Sequence, residues 1–432
     1  MLLQFSFSNY KSFRDESVLN LIAPNTAKYD YYSHKTNLKN TVLKTATVYG
    51  ANASGKTKLF EAFDFMKSVV CPPSGKDKIP VLDYWQSRYD PFRLNTCSSE
   101  ENSFFEVVFI IDNTQYRYGF ELNYKGFVSE WLYLKTKRET NVFSRDNNSN
   151  ITYTSKHFNA KIAENIISAD MISPRASFLA ILGTFNEPLA TKVVDWFRES
   201  KVISANDIRS SLTYPIPVLE NNVNKSKIVN FMKAFDFNIE DMILHELPVL
   251  EIPEKIKEMI GEDNLKGKLF DGVNTLHKQY NGLYERVNDV WFSMEKDESY
   301  GTNRLFALSW AIISSLKNGT VLFIDEFDSG IHPSIARIIV ELYYKCNSNA
   351  QLVINTQNAS MLNYETQDGK KLFLKHQVYL VDKNRYGESI LTPLSDFSND
   401  MRSNLEKLYL EGDFGGVPYI SIEQLLDLIK QE

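Results

Sequence analysis

Gly50-Ala51-Asn52-Ala53-Ser54-Gly55-Lys56-Thr57 decides how this chain is read. Two glycines separated by four residues, then Lys-Thr, match a phosphate-binding loop. Thr45 to Tyr49 before it reads as a short buried strand. Lys58 to Val70 after it carries Leu59, Phe60, Ala62, Phe63 and Met66 at helical spacing. Strand, glycine loop and helix are the context in which the motif has a mechanism. Glycines let backbone N–H groups of Gly50, Asn52, Ala53, Ser54 and Gly55 turn toward a phosphate, and the helix N-terminus adds its positive end. Lys56 is expected to reach the β- and γ-phosphates, and Thr57 to hold Mg²⁺ through its hydroxyl.

Two later stretches extend the pattern. Val321-Leu322-Phe323-Ile324-Asp325-Glu326 is an apolar strand ending in two acids. In a phosphate-loop protein this is where metal and water are managed. Asp325 is expected to hold the metal and Glu326 to polarise the attacking water. Phe327-Asp328-Ser329-Gly330-Ile331-His332-Pro333 follows as a loop and helix start, which is how His332 is read. Glu298-Ser299-Tyr300-Gly301-Thr302-Asn303-Arg304 opens the preceding helix. Ser299 and Gly301 sit where a helix N-terminus exposes unpaired N–H groups, which is an anion site. Taken alone Ser299 reads as an ordinary N-cap, but with the strand and acids directly behind it a second phosphate-binding element is the favoured reading.

Composition allows this reading. The chain has 432 residues and a formal charge of −6, so no global basic field draws it to nucleic acid. Cys71, Cys97 and Cys346 are far apart, and the six histidines form no zinc spacing. Both facts suit a reducing, cytoplasmic setting. Leu3, Phe5 and Phe7 alternate with polar residues as a strand does, and no apolar run approaches membrane-spanning length.

Around the loop the chain divides into four expected regions. Residues 1–78 form an N-terminal hairpin and the phosphate-loop unit, with 26–44 read as polar loop. Residues 79–155 form an antiparallel β lobe, with strands at Phe104 to Ile111, Tyr116 to Leu122 and Phe127 to Lys135. Residues 156–270 are mainly helical, with helices near Ala160 to Ile167, Phe178 to Leu182, Leu189 to Phe197 and Lys225 to Phe235. Residues 271–432 carry the acid strand, a strand at Leu352 to Ile354, and closing helices at Leu405 to Tyr409 and Ile422 to Lys430.

These motifs, in this order, resemble the ABC-type ATPases of the SMC, RecF and OLD kind. Gly50 to Thr57 is similar to their G-x-N-x-S-G-K-[ST] loop. Ser299-Tyr300-Gly301 resembles their signature, which contacts the γ-phosphate on the opposite protomer. Asp325-Glu326 looks like their metal-and-base pair, and Asp328-Ser329-Gly330 stands where their dimer-contact loop stands. Phe7-Ser8-Asn9-Tyr10-Lys11-Ser12-Phe13 looks like the N-terminal hairpin of this group, which makes Lys11 a candidate nucleotide contact. Tyr409 to Pro418 and Pro91-Phe92-Arg93-Leu94 look like segments of the abortive-infection ATPases of AbiL/RloA type. Gln86, ahead of Pro91, is the candidate for their metal-coordinating glutamine. Relatives carry a histidine after the strand Leu352-Val353-Ile354; this chain has Gln357 there, which puts the rate of hydrolysis in doubt.

The resemblance implies an α/β fold: an ABC-type head with a mixed sheet, an antiparallel β lobe and a helical insertion. It implies ATP and Mg²⁺ as ligands and a dimer sandwiching two ATPs. It also implies anti-phage defence through a separately encoded effector, often a nuclease, with a phage product as the possible trigger. The alternative is a DNA repair or recombination ATPase of the RecF kind, against which the acidity and the lack of a clear Lys/Arg stripe weigh. A transporter ATPase fits less well, because the long insertions are unlike transporter subunits.

Overall fold

The computed structural model describes residues 1–38, 40–73, 81–148, 150–154, 156–169, 172–204, 215–246, 270–398 and 404–417. Its centre is a six-stranded sheet in the spatial order Lys201–Ile203, Val321–Ile324, Gln351–Asn355, Thr45–Gly50, Val378–Lys383 and Ser389–Pro393. The first five strands run parallel and the last pairs antiparallel. Every residue of Thr45–Gly50, Val321–Ile324 and Gln351–Asn355 is buried. Strands covered on both faces need continuous apolar runs rather than alternation, and that is how these read.

The helix Lys56–Val70 lies between this sheet and a second one. Phe63 stacks on Phe323 of the central sheet at 4.3 Å and meets Phe5 of the other sheet edge-on at 5.3 Å. Phe65 packs on Phe105 at 5.1 Å. A helix with sheet on both sides must be apolar around most of its circumference. Leu59, Phe60, Phe63, Phe65, Met66, Val69 and Val70 are accordingly all buried.

The second sheet has seven strands in the order Ile151–Tyr153, Glu139–Arg145, Gly126–Lys135, Thr114–Asn123, Ser103–Ile111, Leu2–Ser8 and Ser17–Asn20. The N-terminal hairpin and the meander are thus one sheet. Leu2–Ser8 pairs with Ser103–Ile111, across the expected boundary at 78–79. Glu130 fastens a helical layer to it. This fully buried carboxylate accepts from Ser177 Oγ (2.8 Å), Tyr118 Oη (2.9 Å) and the N–H groups of Phe178 (2.8 Å) and Leu179 (3.1 Å). It therefore occupies the positive end of helix Phe178–Thr184.

Several expectations need correction. Residues 26–44 are not only loop: Ser33–Lys35 and Thr41–Leu43 are paired strands. The meander gains Glu139–Arg145 and Ile151–Tyr153. Lys201–Ile203, inside the stretch read as helical, is the edge strand of the central sheet. Three residues are too few to show a period, so pairing with the acid strand alone defines them. The expected helix Ile422 to Lys430 lies outside the described residues. A separate three-stranded sheet, Asp241–Glu246, Phe270–Tyr280 and Arg286–Ser293, leads into helix Tyr300–Asn318. No helix among the described residues is long and apolar enough to cross a membrane.

Candidate functional site

In an open parallel sheet, ligands sit beyond the carboxyl ends of the strands. Here those ends converge. The glycine loop leaves Thr45–Gly50, the acids leave Val321–Ile324, Gln357 follows Gln351–Asn355, and Lys383 ends Val378–Lys383. A cleft between them is lined by Ser12, residues 52–58, Glu326, Gln357 and Lys383.

The loop's shape is enforced by its neighbours. A Cβ added to Gly50 would lie 2.4 Å from the Val381 carbonyl oxygen and 2.6 Å from Ser54 Oγ. Gly55 has φ +120° and precedes the first residue of the helix. Its added Cβ would lie 2.3 Å from Ser389 Oγ and 2.9 Å from Ser12 Oγ. Lys56 is buried and folds back on the loop, donating to the carbonyls of Gly50 (2.6 Å) and Ala51 (2.9 Å). Burial lowers the pKa of its ammonium, while Asp325 and Glu326 act in the opposite direction.

Thr57 and Asp325 meet at the base of the cleft. Thr57 Oγ1 donates to Asp325 Oδ1 at 3.1 Å, and Asn355 Nδ2 donates to the same oxygen. Asp325 is 1 % exposed, and its second oxygen, Oδ2, is buried with no hydrogen-bond partner among the described residues. A buried carboxylate oxygen left unpaired costs free energy unless something charged or donating meets it. A hydroxyl and a carboxylate beside a phosphate loop are hard oxygen donors, and Mg²⁺ characteristically takes one or two of them together with substrate phosphates. The residues present therefore fit Mg²⁺. Glu326 itself takes a left-handed conformation (φ +47°), is exposed, and lines the loop's cleft together with Gln357.

Other residues singled out by sequence lie elsewhere. Lys11 lines an adjoining cleft, which shares Thr57 with the first and includes Asp325, Glu61 and Arg88. Its ammonium is paired with Asp90 (3.2 Å) and Glu61 (3.7 Å). Its neighbour Ser12 is the hairpin residue that reaches the loop. Gln86 lines neither cleft. The buried indole of Trp85 donates to the Arg175 carbonyl and packs on Phe127, and Gln86 Nε2 donates to the Tyr124 carbonyl at 3.4 Å. Gln86 is thus tied to the turn that follows Thr114–Asn123, outside both clefts. Ser299 caps helix Tyr300–Asn318 by accepting from Thr302 N–H at 3.1 Å. Gly301 packs against Gly330, where a Cβ would lie 2.7 Å from the carbonyl oxygen. Neither residue lines the loop's cleft.

Sequence reasoning missed four contributors. Ser389 bonds Ser12 and the Ser54 carbonyl and so backs the loop, and Lys383 lines the cleft. Asn355 and Arg304 hold the acid turn: Asn355 Oδ1 accepts from Glu326 N–H, and Arg304 Nη2 donates to the Asp325 carbonyl. Ser12, Asn355 and Arg304 lie inside or beside quoted motifs, so their positions were visible although their partners were not.

Comparison with known proteins gives a family. Residues 46–363 match the family described as "AAA domain, putative AbiEii toxin, Type IV TA system". No curated protein matches the chain. Among solved structures, an SMC head bound to the C-terminal winged-helix domain of ScpA is similar, with 15 % identity and a TM-score of 0.44 over 91 % of this chain and 99 % of that one. The SMC head domain from Thermotoga maritima has 13 % identity and a TM-score of 0.39, covering 91 % of this chain and 98 % of that one. The SMC head with an extended coiled coil, bound to the C-terminal domain of ScpA derived from Pyrococcus furiosus, gives 13 % and 0.39, covering 91 % and 97 %. The fold is read from strand order and not from these distant likenesses. With the family match spanning the glycine loop, the acid pair and Gln357, the chain belongs to this AAA-domain family and carries the α/β architecture of a nucleotide-binding ATPase.

Proposed function

We propose that this protein binds and slowly hydrolyses Mg·ATP, dimerises around it, and thereby controls a separately encoded effector, a nuclease, in anti-phage defence. The observation that carries the catalytic part is the unpaired, buried Asp325 Oδ2 beside Thr57 at the glycine loop. When bound, Mg²⁺ supplies charge neutralisation on the phosphates. Lys56 would leave the Gly50 and Ala51 carbonyls for the β- and γ-phosphates. Glu326 would polarise water, and Gln357 would orient it or the terminal phosphate.

The dimer is supported by the position of Ser299 and Gly301. They stand at a helix start outside the cleft of their own loop, beside Tyr300, which is 50 % exposed. A second copy could bring that helix end to the phosphate. The defence role is supported by the toxin and toxin–antitoxin wording of the family description. The effector and a phage product as trigger follow from the sequence resemblance alone.

Sizing chromatography with and without ATP and Mg²⁺ tests the switch. The expected result is association with nucleotide only, made longer-lived by Glu326→Gln, because ligand bound across two chains stabilises the dimer by mass action. An oligomeric state indifferent to nucleotide in both proteins would sink the sandwich. The purified chain alone is expected to leave DNA and RNA intact, and to support cleavage only when combined with the product of the neighbouring gene.

A further inference from the structure

The turn that carries Glu326 is held by a side chain to which no motif assigns a role. Asp325 still behaves as a strand residue, its N–H donating to the Ile203 carbonyl at 2.9 Å. Glu326 then takes φ +47°, a conformation that few non-glycine residues adopt. Successive residues of an extended strand point to opposite faces. An extended Glu326 would therefore point away from the side on which Asp325 meets Thr57. The left-handed turn instead sends the exposed Glu326 side chain into the loop's cleft while Asp325 stays buried.

Asn355 grips this turn at three points. Its Oδ1 accepts from Glu326 N–H at 2.6 Å, its main-chain carbonyl accepts from Phe327 N–H at 3.0 Å, and its Nδ2 donates to Asp325 Oδ1. It is 1 % exposed and sits at the end of the neighbouring strand Gln351–Asn355. Only one orientation of the amide satisfies both side-chain contacts, since the N–H needs an acceptor and the carboxylate needs a donor. Arg304, also 1 % exposed, closes the other side by donating to the carbonyls of Asp325 (2.9 Å) and Glu326 (3.2 Å).

We propose that Asn355 is the positioning residue of this site: one buried amide fixes the metal-holding Asp325 and the water-polarising Glu326 in a single relative geometry. Aspartate could keep the acceptor for Glu326 N–H but would set a second carboxylate against Asp325. Alanine would remove both side-chain arms. This rests on the proposed reading that the site turns over Mg·ATP. Displacing a reacting group by about 1 Å costs on the order of a hundredfold in rate.

The experiment uses the full chain. It compares Asn355→Ala, Asn355→Asp, Glu326→Gln and the double variant Glu326→Gln/Asn355→Ala. Thermal melting, binding of a non-hydrolysable ATP analogue with Mg²⁺, and single-turnover ATP hydrolysis are measured for each. Asn355→Ala is expected to slow hydrolysis about a hundredfold while analogue affinity stays within about threefold. In the Glu326→Gln background the same change should cost clearly less than in the parent, because one of the two groups being positioned is already gone. Asn355→Asp keeps the acceptor for Glu326 N–H but replaces the donor to Asp325 with a like charge, and should also slow hydrolysis about a hundredfold. It serves as the second variant if the alanine protein does not fold. An equal loss in both backgrounds, or an unchanged rate in Asn355→Ala, would overturn the proposal. A parent chain that binds nucleotide without hydrolysing it would overturn the ATPase reading as well, and is recognised separately by the parent's own binding and turnover.

Discussion

Replacing Gly55 by alanine tests whether the loop's shape is imposed by the strands and hairpin around it. The glycine sits at φ +120°, where a side chain is strained, and such conformations cost about 1–3 kcal/mol. Its new Cβ would lie 2.3 Å from Ser389 Oγ and 2.9 Å from Ser389 Cβ, so turning the hydroxyl alone does not clear it. Ser389 would have to move, and with it the contacts to the Ser54 carbonyl and to Ser12 Oγ at 2.8 Å. At about 1 kcal/mol for each hydrogen bond lost, the expected destabilisation is roughly 3–5 kcal/mol. That is a large share of the ~5–15 kcal/mol that holds a typical protein folded. Equilibrium urea unfolding followed by circular dichroism measures it. Adding Ser389→Gly should relieve the collision but not the backbone strain, so the double variant should be more stable than the two single effects together imply. A Gly55→Ala protein within about 0.5 kcal/mol of the parent, the range of an unremarkable surface change, would refute the reasoning.

Three further outcomes are expected. Lys56→Ala should weaken Mg·ATP binding about tenfold to a hundredfold, as loss of a charged hydrogen bond worth about 1.5–3 kcal/mol implies; isothermal titration reads this. Gln357→His should raise turnover, by up to about a hundredfold, at similar affinity, because imidazole can add positive charge where an amide cannot; equal rates in steady-state assays would remove Gln357 from the mechanism. His34 is half-buried against the Ala350 carbonyl and near Lys44 and the amino terminus; desolvation depresses its pKa to about 4, helped by those two charges and opposed by the hydrogen bond to Ala350. The folded state therefore resists the proton that the unfolded state accepts, so stability is full above about pH 6.5 and falls as pH drops toward 4. His34→Gln should flatten unfolding free energy against pH across that window.

By itself the sequence determined the loop, the acid strand, the helix behind each and the α/β class. Each of these is local: a glycine spacing, an unbroken apolar run, or a helical period states its own conformation within a dozen residues. Gly50 to Thr57 and Asp325-Glu326 were legible for that reason, whereas Ser299, expected as a phosphate-binding element, is seen here as the cap of its own helix. Tertiary structure decided what pairs with what. The hairpin Leu2–Asn20 joins the meander rather than standing with the glycine loop, because Leu2–Ser8 finds its partner about a hundred residues away in Ser103–Ile111. Lys201–Ile203 becomes a strand only because Val321–Ile324 offers an open edge. Gln86 bonds the Tyr124 carbonyl beside the buried Trp85, Lys11 pairs with Asp90 and Glu61, and Ser12 and Ser389 close on Gly55. Asn355 and Arg304 acquire their roles through backbone atoms of a distant turn, and a backbone partner leaves no residue-type signature to find. The hydrogen bonds that shape the site are made across strands, so they exist only once the sheet has brought its carboxyl ends together.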